Sequence, residues 1–597
     1  MGELSNFPLD AQMLMRKKRT LRRELLARGG FVDKRIAVLG GSTTHDIIEI
    51  MELFLLDSGI KPMFYEGEYA QFYEDAMFGN EVLDGFKPDV IFVHTSSRNI
   101  QEWPEPGMSR ETIEGLFSSL RGKFEAVWLR LGEKFRCPVI QNNFEYLPYR
   151  LFGNLDAAEI HGRTNFINRA NSWIANWAQS HDGFYVNDIN WQSADFGLSR
   201  WHDPFCWYMY KYALSLEAVP TLAFNVSNII KAIFGKNKKA LAIDLDNTLW
   251  GGVVGDDGPE NLEIGTETAV GQAYTEFQQY LKNLSKQGVL LNVISKNEAA
   301  AAKSGLAHPR MVLKEKDFIS IKANWSPKSR NLVEMAEELS LLPESFVFID
   351  DNPAEREIIR QQVPGCSAPE LSSVEHYISE VDRGGYFESV NLSGDDLRRN
   401  AMYKENAARS HLRNSFADYG EYLKSLAMKA EIKPFEAVYM GRIAQLTNKS
   451  NQFNLTTMRC TREEIEAMAK DDCYITRYGS LSDKFGDNGV VAVSIGKLAE
   501  IDGMRELQLV LWLMSCRVLK RDMEFAMMDE MVAAAIERGC KRMRGFYYPT
   551  EKNAMVKSFY ATQGFSKISE DDAGNAVWAL DVSGGYTKKN ANIEVSK

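Results

Sequence analysis

The sequence predicts a multidomain α/β protein, on three observations. Short apolar strands alternate with helix-like stretches in the first third: RIAVLG (35–40), DVIFVHT (89–95) and PVIQNN (138–143), with the amphipathic TIEGLFSSLRGKFEAVWLRLGEKF between the last two. The alternation returns in the middle with ALAIDLD (240–246), VLLNVIS (289–295) and FVFIDD (346–351). After residue 395 the texture changes to a helix-rich start, a meander (VVAVSIGKLAE, ELQLVLWLMS), a long helix (EFAMMDEMVAAAIERG) and a strand running into FYYPTEKNAM. Alternating strands and helices favour a parallel sheet with crossovers, and the last block reads as mixed α+β.

At roughly 150 residues per domain, the 597 residues allow three or four domains. The polar, turn-like run at 235–239 precedes a new strand, so the first boundary falls near 230–236. The expected domains are 1–230, 236–395 and 396–585, with 586–597 as a tail. With 45% hydrophobic and 25% charged residues the chain is neither disordered nor fibrous. A net charge of −11 argues against holding nucleic acid on a broad basic face. No apolar run approaches the ~20 residues that span a bilayer, so no membrane insertion is expected. No secretory pattern is visible at the N-terminus. The seven cysteines never fall in CxxC spacing and the eight histidines include no HExxH, which points to reduced thiols, no zinc site and a cytoplasmic setting.

The middle block carries the chemistry. Asp244 and Asp246 follow an apolar strand directly. Carboxylates two residues apart cannot share one buried face of a strand, so the strand must end there, at a turn where both enter one site. One can attack a phosphoryl group and the other can shuttle a proton. Ser295 and Asn297 end the next strand, where a hydroxyl can hold a phosphate oxygen. Lys328 supplies a cation, and Asp350-Asp351 can complete an oxygen-rich Mg²⁺ site.

This order resembles the haloacid dehalogenase (HAD) superfamily of aspartate-based phosphotransferases. The resemblance implies Asp244 as nucleophile, Asp246 as acid/base, Thr248 and Ser295 positioning phosphate, and Lys328 stabilising charge. Mg²⁺ would be held by Asp244, the Asp246 carbonyl and Asp350. The short spacings from Asp246 to Ser295 and on to Lys328 leave no room for a large cap domain, so another domain or a tethered partner must cover the site. LAIDLDNTLWGGVVGDDG, VISKNEAAA, HPRMVLKEKDF, NWSPKSRNL and SFVFIDDNPAEREIIR look like the FkbH-like branch of the superfamily. So do TNKSNQFNLTT, DKFGDNGVV, SCRVLKRDMEFA and FYYPTEKNAMVKSFYATQGF. That branch implies removal of phosphate from D-1,3-bisphosphoglycerate, a small phosphorylated three-carbon substrate. The resemblance further implies that the glyceryl unit is loaded as a thioester on an acyl carrier protein.

The block 397–583 resembles the GNAT-type acyltransferase domain of that family. Such a domain implies a pantetheine groove between splayed strands and a glycine-rich pyrophosphate loop before a helix. Here the loop reads Cys516-Arg-Val-Leu-Lys-Arg-Asp, with Lys520 and Asp522 where glycines are common. The departure favours phosphopantetheine on a carrier protein over free acyl-CoA, its phosphate held by Arg517, Lys520 or Arg521. Cys516, beside basic residues, is a candidate acyl way-station or a small hydrophobe by the groove. Asn448, Asn451, Gln452 and Asn454 either hydrogen-bond a polyol acyl unit or pin a loop.

In the N-terminal block, Val38-Leu-Gly-Gly-Ser42 is a strand, a glycine turn and a serine, similar to SGNH hydrolases with Gly41 in place of the usual Asp. Asn99 stands near the place of the oxyanion Asn, but no D-x-x-H follows. The remaining candidates are Asp188 and the pair His202-Asp203. The expectation is a flavodoxin-like three-layer scaffold, degenerate or catalytic through Ser42 and His202. Two further readings stay open for the whole chain. One sends the acyl unit to an amine or hydroxyl of a sugar precursor in polysaccharide biosynthesis; the other is a non-enzymatic carrier-protein docking scaffold.

Overall fold

The computed structural model describes residues 4, 7–413, 415–450, 452–501, 503–550 and 552–596. It divides into two compact units, residues 1–236 with 383–390, and residues 237–382 with 391–597. The short segment 383–390, inside the range expected for the phosphatase core, thus belongs to the first unit. There Arg383 donates to Asp195 (Nε to Oδ2, 2.8 Å).

The first unit is built on five parallel strands, β1 (Val32–Gly40), β2 (Ile60–Glu66), β3 (Val90–His94), β4 (Val139–Asn142) and β5 (Phe184–Asn187), in the order β2-β1-β3-β4-β5. Successive side chains alternate between two cores. Ile36, Val38, Val90 and Phe92 pack with the helices His45–Asp57 and Val219–Ile233. Ala37, Leu39, Ile91 and Val93 pack with Arg110–Phe135 and Arg163–Ser180. A parallel sheet covered on both faces needs such continuous apolar strands. β2 was hidden in the sequence because it is an edge strand that alternates buried and exposed residues and carries Pro62.

The second unit begins with a four-stranded parallel sheet of β6 (Ala240–Ile243), β7 (Leu290–Ser295), β8 (Ser320–Ala323) and β9 (Phe346–Ile349), in the order β8-β7-β6-β9. No large cap interrupts it. Residues 247–268 form only a small flap with the helix Val254–Asp257, and the chain from β7 to Lys328 holds one helix, one short turn and β8.

The helix Gly394–Arg413 leads into the third sheet and stitches it to the second. Arg399 donates to Gly288 O (3.1 Å) and Asn400 to Val289 O (3.2 Å), while Tyr403 packs into the core behind β6, β7 and β9. Arg409, 1% exposed, makes a two-pronged ion pair with Asp483 at 2.7 Å on both arms. The third sheet has eight strands: β10 (Met428–Lys433), β11 (Tyr474–Asp483), β12 (Gly486–Ile501), β13 (Met504–Met514), β14 (Arg542–Tyr547), β15 (Ser566–Glu570), β16 (Ala576–Asp581) and β17 (Ile593–Ser596). Of residues 586–597, expected as a tail, 586–596 are instead anchored. β17 pairs in parallel with β10, and buried Asp529 accepts from Tyr586 Oη and from the Lys589 and Asn590 N–H groups. The edge of β10 and a buried carboxylate both need partners, and this segment supplies them.

β13 and β14 pair only from Glu506 to Leu509, opposite Arg542 to Gly545, and then part. β13 also skips a residue against β12, with Leu511 opposite Ile495 and Leu509 opposite Gly496, so Val510 bulges. The wedge that opens is filled by the chain itself. Leu455 N–H donates to Trp512 O (3.0 Å), Phe453 O accepts from Met514 N–H (2.9 Å), Thr456 Oγ1 donates to Val510 O (2.8 Å), and Tyr548 N–H donates to Leu455 O (2.9 Å). This corrects the expectation of an open pantetheine groove. Backbone groups on two diverging strands need partners, and residues 453–456 act as a short inserted strand.

Candidate functional site

The order β8-β7-β6-β9 puts a switch point between β6 and β9, because the chain runs from β6 to one side and returns on the other. Ligands of open α/β sheets sit outside the strand ends at such points. Asp244, one residue beyond β6, is anchored through its N–H to Ile349 O (2.9 Å), and Asp350 is one residue beyond β9. Lys328 opens the helix Lys328–Glu338 and bridges them, with Nζ 2.6 Å from Asp350 Oδ2 and 3.0 Å from Asp244 Oδ2. All three are buried.

Asp244, Asp350 and Asp351 bring carboxylate oxygens within 4.8 Å of one another. One lysine against three carboxylates leaves the group negative, a donor set suited to a hard divalent cation. Asp244 Oδ1 is buried with no hydrogen-bond partner among the described residues, as an oxygen facing a cation or a phosphoryl group would be. Burial raises the Asp244 carboxyl above the usual carboxylate range, opposed by the Lys328 charge and the Ser295 hydroxyl. Burial, and then the charge of Asp244, push Asp350 up to about 7. Burial works against the Lys328 ammonium, but Asp244 and Asp350 outweigh it and hold the lysine above its ordinary value.

Asp246 faces different partners. Its Oδ1 accepts from Trp250 Nε1–H (2.9 Å) and Val254 N–H (3.0 Å), and its Oδ2 from Asn297 Nδ2 (2.7 Å). The carboxylate is therefore engaged outside the metal-like trio, and Asp351 is the third carboxylate there. Asn297 also donates to Ser295 Oγ (3.2 Å). Thr248, expected to position phosphate, instead accepts from Asp351 N–H (3.1 Å) and approaches its carboxylate at 3.4 Å. Fully buried behind the paired acids, it fixes their turn. Two residues were missed in the sequence. Trp250 orients Asp246, and Arg356 donates to Asp350 O (2.7 Å) and Asp351 O (2.8 Å), clamping the acidic turn. The available signal was spacing for Trp250, four residues after Asp246; Arg356, five and six residues after Asp351 and Asp350, carried none.

In the third sheet, the expected phosphate ligands are largely engaged. Arg521, 7% exposed, donates to Asn406 (2.6 Å) and pairs with Asp483 (3.4 Å). Arg517 donates to Ser515 Oγ (3.1 Å) and pairs with Asp395 (3.4 Å). A buried guanidinium needs such partners, which are on other elements. Lys520 remains exposed. Lys520 and Asp522 have φ of 61° and 60°, the left-handed backbone that glycine favours, so the loop keeps that shape without glycines. Cys516 opens a 3₁₀ turn, but its side chain lies outside the described residues. Asn451 lies outside them as well. Asn448 donates to Ala444 O and Cys460 O (both 3.0 Å), and Asn454 accepts from Thr457 N–H (2.9 Å), so both pin the loop. Gln452 is partly buried in it.

In the first unit, Ser42 and His202 are buried but do not hydrogen-bond to each other. The two acids considered as partners for His202 are helix caps: Asp188 accepts from Trp191 N–H and Asn143, and Asp203 from Phe205 N–H. Gly41 has a steric reason. A Cβ there would lie 2.5 Å from the side chain of Asn99, which bonds back to Gly41 O (2.9 Å).

A four-stranded parallel sheet with an aspartate, lysine and acid-pair cluster at its switch point is a HAD-like phosphatase core. The structure of the N-terminal part of BF1531 from Bacteroides fragilis, which contains a phosphatase domain complexed with Mg, is 28% identical to this chain. The match covers 63% of this chain and 98% of that one, with a TM-score of 0.58. Residues 35–231 match the family model described as FkbH, N-terminal domain, so an FkbH-type domain precedes the phosphatase core. Shorter matches are with a ribosomal-protein-S18-alanine N-acetyltransferase from Escherichia coli (12% identity, 27% of this chain and 98% of that one, TM-score 0.20) and a GNAT-family acetyltransferase from Streptococcus pneumoniae (14%, 26% and 99%, 0.21). No curated protein matches the chain. Among the described residues no helix is long and apolar enough to cross a membrane.

Proposed function

We propose that this protein is a Mg²⁺-dependent phosphatase and glyceryl transferase. It takes D-1,3-bisphosphoglycerate, removes phosphate and delivers the glyceryl unit to the phosphopantetheine thiol of an acyl carrier protein. The observation that carries the phosphoryl chemistry is the buried Asp244 Oδ1, unpartnered beside Lys328 and the paired acids. The substrate and the carrier rest on the resemblance of the sequence motifs to the FkbH-like branch.

In this reading an Asp244 oxygen attacks the phosphorus of the C3 phosphate ester, forming an aspartyl-phosphate while the bond to the C3 oxygen breaks and the acyl carbon at C1 is left untouched. Asp246 protonates that oxygen and then takes a proton from the water that releases phosphate. Trp250, Val254 and Asn297 fix its carboxylate for both steps. The Lys328 charge opposes the burial that raises the Asp244 carboxyl and so favours its ionised form. Bound Mg²⁺, held by Asp244, Asp350 and Asp351 with the Asp246 carbonyl, would neutralise charge on the transferring phosphoryl group. The acyl phosphate at C1 is a mixed anhydride and already activated, so the thiol attacks the C1 carbonyl, the C1–O bond to phosphate breaks and inorganic phosphate leaves, and the glyceryl group passes to sulfur without ATP.

The filled wedge favours a second reading, in which the acceptor is an amine or hydroxyl of a sugar precursor that does not need the wedge. Phosphate release from 1,3-bisphosphoglycerate with Mg²⁺, in wild type and Asp244→Asn, is measured while the mass of a holo carrier protein is followed. Loading that requires Asp244 supports the first reading. Release without loading moves the acceptor to the second, and no release from any acyl phosphate overturns both.

A further inference from the structure

The first unit holds another group of polar side chains, again at a switch point. With the order β2-β1-β3-β4-β5, the chain leaves β1 toward β2 and resumes on the other side at β3, so the loops after β1 and β3 diverge around a crevice. Asn99, after β3, ties the two loops together through Gly41 O (2.9 Å) and Ser96 N–H (2.9 Å). The helix Pro204–Tyr210 forms the outer wall. Thr43 donates through its N–H to Lys211 O (3.0 Å) and through Oγ1 to Tyr210 O (2.6 Å). The Arg98 guanidinium lies 4.7 Å above the Trp207 ring, and Lys211 Nζ lies 5.4 Å from the same ring.

Several buried polar atoms here have no hydrogen-bond partner among the described residues. Ser42 is 1% exposed and its Oγ has no partner. Arg98 Nε is buried without one, and among the described residues no ion pair engages Arg98 or Lys211. The nearby acid, Glu145, is engaged by Ser97 N–H (3.1 Å) and Ser97 Oγ (2.8 Å). His202 donates from Nε2 to Tyr146 O (2.9 Å), because a carbonyl can only accept. Its Nδ1 is therefore a buried, unpartnered acceptor. Buried donors are almost always satisfied, so the unpartnered Ser42 hydroxyl and Arg98 Nε–H at a strand-end crevice point to a ligand.

We propose that this crevice binds a small molecule bearing a carboxylate or phosphate, with Arg98 and the Ser42 hydroxyl donating to the anion. The stack of Arg98 and Lys211 on Trp207 concentrates positive charge there; Glu145, which feels the Arg98 charge, is held by Ser97 and forms no ion pair with Arg98 among the described residues. The same geometry makes it a binding site and not a hydrolytic one, since Ser42 has no base within hydrogen-bond distance. The inference does not depend on the reaction at Asp244.

Hydrogen exchange of the full chain is measured with inorganic phosphate, glycerate and 3-phosphoglycerate as probes, in the Asp244→Asn background so that turnover does not interfere. Peptides covering 40–45 and 95–100 should gain protection, with phosphate alone or glycerate alone identifying which anion the crevice takes. Arg98→Leu should weaken that binding by about tenfold or more, Ser42→Ala by less, and Arg98→Lys, which keeps the charge but loses the fork, should fall between. No protection with any probe at millimolar concentration overturns the proposal, as does equal binding by Arg98→Leu, Arg98→Lys and the parent. Labelling of Ser42 by a fluorophosphonate overturns the non-hydrolytic assignment.

Discussion

Replacing Lys328 by Met tests whether the aspartate cluster is held together electrostatically. Lys328 is 4% exposed and its Nζ lies 2.6 and 3.0 Å from two buried carboxylates. At an effective dielectric of about 20, a unit-charge pair at ~3 Å gains about 5 kcal/mol, much of it offset by desolvation. Removing the cation strands Asp244 and Asp350 beside Asp351. The expected loss is about 3–5 kcal/mol, toward the lower end because Asp350, already near neutral pH in its titration, takes up a proton. Native-state hydrogen exchange of peptides in β6 and β9 reads that local free energy. Asp350→Asn and the double variant complete a cycle whose coupling should be about 2–3 kcal/mol. Mg²⁺ offers another positive charge, so it should restore more protection in Lys328→Met than in wild type. Single-variant losses that add to within about 0.5 kcal/mol would refute the electrostatic account.

Three further outcomes are expected. Burial lifts the Glu145 carboxyl from 4.5 to about 7, against hydrogen bonds from Ser97. Since the folded value is the higher one, its contribution is fully present below about pH 4.5 and is lost as pH rises through about 7, a change of roughly 3 kcal/mol. Glu145→Gln should flatten that slope in urea unfolding of the first unit, and an unchanged slope sinks the argument. Gly41→Asp places a Cβ 2.5 Å from the Asn99 side chain and should cost about 1–3 kcal/mol, seen as a lower melting temperature; a variant as stable as wild type contradicts it. Asn553→Ala removes donors to Asn454 O and Tyr548 O (both 2.9 Å), leaving the buried Asn454 carbonyl unpaired at about 1–3 kcal/mol, with faster exchange at Leu455 and Tyr548 as the readout.

The convergence of Asp244, Lys328 and Asp350 was legible because each component closes an apolar strand or opens a helix. Asp244, Ser295 and Asp350 each stand beside a local run of hydrophobic residues, and a parallel sheet brings strand ends together whatever the spacing between them. The role of Thr248 was not legible, because a buried hydroxyl can serve a ligand or a neighbouring turn with the same sequence around it. Arg517 and Arg521 read as free cations since their partners Asp395, Asp483 and Asn406 are distant in the chain. In β17 only Ile593 and Val595 alternate, too short a pattern to announce a strand. The wedge filling left no trace for a related reason: most of its bonds run from backbone to backbone, and any residue could make them.

That inserted strand also changes the competition a pantetheine arm would meet. Residues 453–456 are part of the same chain, so they face Val510, Trp512 and Met514 at the effective concentration of a tethered ligand, in the millimolar range or above. An arm free in solution at micromolar concentration would be outcompeted even with equal intrinsic affinity for the strand edge. An arm carried by a docked protein is tethered too and competes on comparable terms. On the proposed carrier-protein reading, the occupied wedge would act as a filter on delivery, favouring an arm brought in by a docked protein over the same arm unattached.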